Sequence, residues 1–404
     1  MRRQHGSGVA SGRGRGLIVL CAANNYNAVK GADQHMAESL ARDCDLLYVD
    51  PPRSRVSLRR NPALAPAVEE APLRKTDAGF WRLTPVVPPF PMRRVMRPIT
   101  EQIVRRALRR AVATLAGRAS VVITSWATLD VTGTCNELLK VWWAQDDFGA
   151  GAELMGVSHQ RTAAGQALQA RSADFVIAIN PEVATRWSDE GCEVELIPNG
   201  CDPQAFSVVG GVEPASDVRL TRPVAIMMGQ FNARTDPRLL HAVVDAGMSL
   251  LLVGPEAGAT WISDLARREN VAWVGNQPFE ALPRYLAHAQ VGLVPYTDSN
   301  FNRASFPLKT LEYLAAGLPA VTTDLPSTRW LGADPQLVRI ASEPASFAAA
   351  AVTAATSEDA SAAARRRQFA SEHSYERRAH DLLAAIDRRI GAKEPFGSAP
   401  LFGG

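Results

Sequence analysis

ASFPLKTLEYLAAGLPAVTT, residues 304–323, holds one helix and one strand in succession. Ser305 is a good N-cap, and Pro307 fits a first helical turn, where its missing N–H would have no partner. Gly317 and Pro319 end the helix, so residues 306–316 are expected to be helical and residues 319–323 to form a buried strand. Leu308, Leu311 and Ala315 recur at three- and four-residue spacing and make the core stripe, which leaves Lys309 and Glu312 sharing the face beside it.

The same alternation continues in both directions along the chain. Strands are expected at 223–228, 249–254, 271–275 and 291–295, with helices near 236–246, 256–269 and 278–289. In the first half, apolar runs at 17–22, 45–49, 120–124, 138–144, 174–179 and 193–197 alternate with helical patterns. The Pro- and Arg-rich excursion from Pro51 to Pro91 offers one strand near 80–87. Strands alternating with helices are the signature of βαβ units and parallel sheets. The expected architecture is α/β, two Rossmann-like doubly wound halves in series. Its parts are a disordered basic tail (1–15), an N-terminal domain (16–200), a linker (201–222), a C-terminal domain (223–375), and a terminal helix and tail (376–404) returning to the N-terminal domain. Ligands of such sheets bind outside the carboxyl ends of the strands, so the loops after each strand are where site residues are sought.

A length of 404 residues suits two domains, and 46% apolar with 21% charged residues is the composition of a folded chain. A formal charge of +3 gives no general reason to expect a nucleic-acid partner. The five cysteines form no CxxC pair, which argues against a zinc knuckle or a disulfide framework and suits a reducing, cytoplasmic compartment. No apolar run reaches the roughly 18 residues a membrane-spanning helix needs. The basic start with LIVLCAA at 17–23 imitates a signal peptide, but its residues read better as the first strand.

Lys309 falls in the first turn of its helix, where the macrodipole favours acidic side chains. A bound diphosphate would compensate, meeting the backbone N–H groups and the ammonium together, while Glu312 accepted hydrogen bonds from ribose hydroxyls. An exposed Lys–Glu pair at i, i+3, worth about 0.2–0.5 kcal/mol, explains the same spacing. Spacing alone leaves both readings open.

The stretch resembles the nucleotide-sugar-binding segment of retaining glycosyltransferases of the GT-B fold, particularly family 4 and its envelope and capsular polysaccharide enzymes with an FPLK…EYLAAG.P form. The resemblance covers most of residues 170–330. It implies two Rossmann-like domains facing across a cleft, with the donor held mainly by the second, and it places Ser305, Phe306, Pro307, Leu308 and Glu312 on that donor. Such enzymes often carry two glutamates eight residues apart. Glu312 matches the second, on the ribose, whereas the first falls on Ala304, so its contact to the donor sugar is absent or comes from Asn302 or Ser305. MGQFNARTD, residues 228–236, resembles the second phosphate loop of these enzymes, in which Gly229 admits the ligand, Asn232 lies alongside, and Arg234 forks phosphate oxygens. Its plain alternative is a surface arginine beside a turn. Asn276, in Gly275-Asn276-Gln277, either lines the base pocket or belongs to an ordinary strand-to-helix turn.

In the first domain, where relatives commonly carry a glycine pair, only Lys30-Gly31 stands, and it is assigned to donor phosphate or acceptor. Asp146 and Asp147 end the strand over 138–144, Asp147 being the candidate to orient the acceptor hydroxyl; an N-cap or loop role fits equally. The pair lacks the DxD form, so no divalent ion is expected. By resemblance, transfer retains anomeric configuration, needs no metal or other cofactor, and relies on Arg234 and Lys309 to stabilise the departing diphosphate of a nucleotide-sugar donor. The acceptor would be a glycan or a lipid-linked glycan. A nucleotide-sugar epimerase or hydrolase and a catalytically silent binding partner are the rivals. A dehydrogenase is disfavoured, since no GxGxxG follows either domain's first strand.

Between Met92 and Arg118 stand eight arginines against the single acid Glu101. Val104, Leu108, Ala111, Val112 and Leu115 make an apolar stripe beside them. This is the pattern of a helix lying on an anionic membrane at the inner face of the cell, of a helix whose stripe packs on the first sheet, or of both together, the stripe inward and the arginine edge on lipid headgroups or a lipid-phosphate acceptor.

Overall fold

The computed structural model describes residues 16–28, 30–54, 71–91, 93, 95–145, 151, 158–306, 308–332, 334–357 and 360–393. In the first half the strands are β1 (Leu17–Cys21), β2 (Asp45–Val49), β3 (Arg53–Ser54), β4 (Leu73–Lys75), β5 (Trp81–Leu83), β6 (Val86–Val87), β7 (Ala119–Thr124), β8 (Leu139–Ala144), β9 (Phe175–Ala178) and β10 (Val194–Leu196). Eight of them form one sheet in the order β10-β9-β8-β7-β1-β2-β5-β4. Only β4 runs antiparallel. In the second half β11 (Val224–Met228), β12 (Ser249–Val253), β13 (Val271–Trp273), β14 (Val291–Val294), β15 (Ala320–Thr322) and β16 (Val338–Ile340) form a parallel sheet ordered β13-β12-β11-β14-β15-β16.

In each sheet the strand order reverses beside the first strand, between β1 and β7 and between β11 and β14. These are the topological switch points at which a doubly wound sheet opens a crevice. Strand residues alternate between two covered faces. Leu17, Val19 and Cys21 pack with Val104, Leu108, Ala111 and Val112 of the helix Arg97–Leu115. Ile18 and Leu20 join a cluster that continues through Tyr285 and Tyr375 to Ile226 and Met228 of the other half, so apolar packing is continuous between the sheets. The stripe of Arg97–Leu115 packs inward: Val104, Leu108, Ala111 and Val112 are buried in protein, and Leu115 is partly so.

The helix expected over 256–269 shrinks to Ile262–Leu265. Ala257 donates its N–H to the Phe231 carbonyl, which keeps the chain after β12 in a loop paired with the loop after β11. The strand β16 was not expected, since Arg339 interrupts a run of only three residues. The last helix, Tyr375–Lys393, crosses back from the second half and packs along Ala32–Leu40 of the first. Where it crosses, Cys201 bridges Ser374, and a Cβ on Gly200 would lie 2.7 Å from the Tyr375 nitrogen, so only glycine lets the strands of chain approach so closely. Arg388 and Lys393 then pair with Glu195 (2.8 Å) and Asp174 (2.7 Å).

Candidate active site at the second switch point

The helix Leu308–Ala315 is pinned across β11 and β14 by Tyr313. That residue is fully buried, and its hydroxyl accepts from the Met228 N–H at 2.9 Å. Gly292 in β14 makes the room, since a Cβ there would stand 2.2 Å from the ring. Burial pushes the phenol pKa far up, so Tyr313 stays a neutral structural group. The sequence reading of EYLAAG singled out its glutamate; the tyrosine is what sets that helix against the strand ends.

Immediately beyond Met228 the chain enters Gly229, at φ +135°, in the region that favours glycine. The tips of the neighbouring strands repeat the pattern. Gly254 has φ +145°, and a Cβ on it would lie 1.8 Å from the Gly229 carbonyl oxygen; its N–H donates to the Gly275 carbonyl at 2.7 Å. Three adjacent strands thus end in bare backbone. Lys309 passes over this surface, its Cε 4.0 Å from where a Gly229 Cβ would be, and its ammonium pairs with Glu312 at 2.7 Å. The pair is no exposed surface bridge, because the Glu312 side chain is only 9% accessible.

Arg234 lies on the loop after β11 and is held by the loop after β14. Its guanidinium sits between the rings of Tyr296 and Phe301, 4.9 and 4.7 Å from their centroids. Nε donates to Asn302 Oδ1 at 2.8 Å and Nη2 to Ser305 Oγ at 2.9 Å. Asn302 Nδ2 donates back to the Arg234 carbonyl at 3.0 Å, and Asn232 Oδ1 accepts from the Arg234 N–H at 3.0 Å. A guanidinium stacked twice and bonded twice is oriented before any ligand arrives. Ser305, expected as an N-cap, instead ends the short helix Asn300–Ala304 and spends its hydroxyl on Arg234, because that charged donor lies within reach. Phe306 is buried and Leu308 half-buried; Pro307 lies outside the described residues. Asn276 is exposed beside Gly275.

The first half closes on this clamp. Asn180 follows β9, is fully buried, and caps the helix Pro181–Asp189 by accepting from the Val183 N–H at 2.9 Å. Its amide donates across to the carbonyls of Ala304 (2.7 Å) and Ser305 (3.4 Å). The Ala304 methyl packs in a cluster with Trp142 and Trp187 of the first half. The position that carries a glutamate in the family pattern is therefore spent on contact between the two halves. Asn180 was missed in the sequence, where it reads only as a residue before proline.

The loop after β1 is built differently. Asp33 is fully buried and accepts from the backbone N–H and side-chain amide of Asn24 (3.1 and 2.9 Å) and from Gln145 Nε2 at 2.6 Å. Burial raises its pKa, and these bonds oppose the rise. Asp50, also fully buried, accepts from the Tyr26 N–H at 2.9 Å and pairs with Arg82 Nε at 2.8 Å. Arg82 in turn donates to Asn27 Oδ1 (2.7 Å) and Asn25 Oδ1 (3.1 Å). Lys30 pairs with Glu38 at 2.8 Å and lies 5.3 Å from the Phe279 ring of the second half, and the Gly31 N–H donates to Gln34. Gln145 ties this loop to the end of β8; Asp146 and Asp147, which follow it, lie outside the described residues. His35 is buried between the halves, stacked on Tyr375 at 4.9 Å and edge-on to Phe279 at 5.2 Å. Burial, then the nearby Lys30 charge, push its pKa down to about 3.

The fold is the GT-B arrangement of two Rossmann-like domains. Residues 223–357 match the family described as glycosyl transferases group 1. A Bacillus subtilis (strain 168) protein assigned to teichuronic acid biosynthesis as a glycosyltransferase is 34% identical over 134 residues, which is 33% of this chain and 30% of that relative. Sucrose-phosphate synthase from Thermosynechococcus elongatus superposes with a TM-score of 0.70 at 16% identity, over 94% of this chain and 100% of its own. Anabaena HepE in complex with UDP and glucose superposes with a TM-score of 0.63 at 14% identity, over 92% and 99%. These structural likenesses carry the fold.

Proposed function

We propose that the protein is a glycosyltransferase that moves a sugar from a nucleoside-diphosphate donor to a glycan or lipid-linked acceptor. The observation that carries this reading is Arg234, stacked and bonded at the switch point, with Lys309 lying over the bare strand ends of Gly229. Two cations beside strand ends stripped of side chains suit a diphosphate, whose charge grows as the sugar departs. Glu312 would take the ribose hydroxyls, with Asn232, Asn276, Ser305, Phe306, Pro307 and Leu308 around the donor. Lys30, Gly31, Asp146 and Asp147 would border the acceptor side, Asp147 orienting the attacking hydroxyl. Retention of configuration, action without a metal, and work at the cytoplasmic side of a membrane belong to the same proposal and rest on the family resemblance.

With Ala304 turned into the contact between halves, the donor sugar would be met instead by Asn302, Ser305 and the first domain. UDP-sugars, bound by HepE, are the first donors to try. The test is incubation with radiolabelled UDP-, GDP- and dTDP-sugars and membrane extract. Label in lipid or glycan supports transfer, free sugar supports hydrolysis, and binding without turnover of any donor removes the transferase reading.

A further inference from the structure

Among the described residues the outward face of the helix Arg97–Leu115 has no protein partner, and what it presents is specific. Just before the helix, Phe90 is held at φ +57°, a backbone region that bulky side chains rarely enter, with its ring 49% exposed. Val95 is 80% exposed and Ile99 45% exposed. The Arg93 N–H donates to the Phe90 carbonyl (3.0 Å), and Thr100 Oγ1 donates to the Pro91 carbonyl (3.1 Å). Behind this apolar tip, Arg93, Arg106, Arg109 and Arg110 are exposed, and none of the four has a carboxylate partner among the described residues. The nearby acids are consumed elsewhere: Glu101 and Asp130 both pair with Arg105.

We propose that this surface docks on a bilayer containing anionic phospholipid, Phe90, Val95 and Ile99 entering the headgroup boundary while the four arginines meet phosphate. Charge complementarity and the three exposed apolar side chains select that occupant, since a polyanion in solution would leave them in water. The helix runs antiparallel to the strands, so its first turn lies at their carboxyl ends, the side on which the first domain faces the cleft. A lipid-linked acceptor would then be held at the height of the site. The attachment rests on the proposed transfer for its purpose only, because vesicle binding requires neither donor nor acceptor.

The experiment is vesicle sedimentation with phosphatidylcholine alone and with added phosphatidylglycerol, at low and high salt. It compares wild type, Arg106→Gln/Arg109→Gln/Arg110→Gln and Phe90→Ser/Val95→Ser/Ile99→Ser, all surface changes expected to leave the melting temperature unchanged. Wild type should partition to the anionic vesicles, more weakly at high salt. The arginine variant should lose about 5-fold per residue. The serine variant should keep a weakened, salt-sensitive attachment and lose whatever persists at high salt. Equal binding to neutral vesicles, unchanged binding of both variants, or binding to soluble heparin with none to vesicles would overturn the proposal.

Discussion

The loops after β1 and β11 occupy the same place in their sheets, and they are built in opposite ways. After β11 the chain discards side chains: Gly229, Gly254 and Gly275 leave the strand ends bare, and Arg234 and Lys309 reach in from the flanks. After β1 the chain fills the same space with Asn24, Asn25, Tyr26 and Asn27, each bonded to Asp33, Asp50 or Arg82. Most of this loop's polar groups bond to one another, the buried Asn25 Nδ2 being an exception, so it has little left to offer a phosphate. One fold position is thus a bare strand end in one half and a braced wall in the other.

The largest test of that contrast is Arg82→Met. It removes the buried ion-pair partner of Asp50, which keeps only the Tyr26 N–H and the Thr84 hydroxyl, and frees Asn25 and Asn27, so denaturant unfolding should show a loss of about 3–5 kcal/mol with nucleotide affinity of the second half little changed. An equal loss of nucleotide affinity would mean that the two loops are one site.

His35 lies where the two halves meet, and its lowered pKa makes that meeting pH-dependent. Because the folded pKa, about 3, is below the ordinary value of 6.5, its contribution is complete above about 6.5 and is lost as pH falls toward 3. Unfolding free energy should fall by about 2–4 kcal/mol across that window, and His35→Gln should flatten the profile. A profile identical in the variant would show that other groups carry it.

Ala304→Glu separates the family pattern from this chain's use of the position. The carboxylate would be pushed into the Trp142 and Trp187 cluster, so scattering should report a larger radius of gyration and stability should drop by about 1–3 kcal/mol. A gain in donor turnover with unchanged radius would show that the site still accepts the glutamate.

Lys309→Ala is the smallest change to the fold and the sharpest for the site. Read as a surface residue it should cost under about 0.5 kcal/mol. With Glu312 nearly buried beneath it, roughly 1–2 kcal/mol is expected instead. Nucleotide affinity, measured by calorimetry, should fall at least tenfold, and unchanged binding would remove Lys309 from the diphosphate.

Periodicity made the strands legible because both faces of each sheet are covered, which forces apolar runs such as LIVLC (17–21) and VAIMM (224–228). Lys309, Glu312 and the glycine of MGQ could be picked out for a related reason: a helix start and a strand end have fixed geometry in sequence. Short elements escaped, as at Ile262–Leu265, where pairing with the loop after β11 overrode a helical pattern.

The sequence by itself determined two Rossmann-like halves and the helix and strand that follow Ala304, since hydrophobic period, caps and turn residues act over a few neighbours. Only the tertiary structure decided that Ser305 holds Arg234 rather than a helix end, that Asn180 reaches 124 residues ahead to Ala304, and that Asp50 meets Arg82 beneath Tyr26. Such partners are chosen by the crossing of chain segments at the strand ends. A polar side chain buried there must bond to whatever the crossing brings within 3 Å, and no local pattern records it.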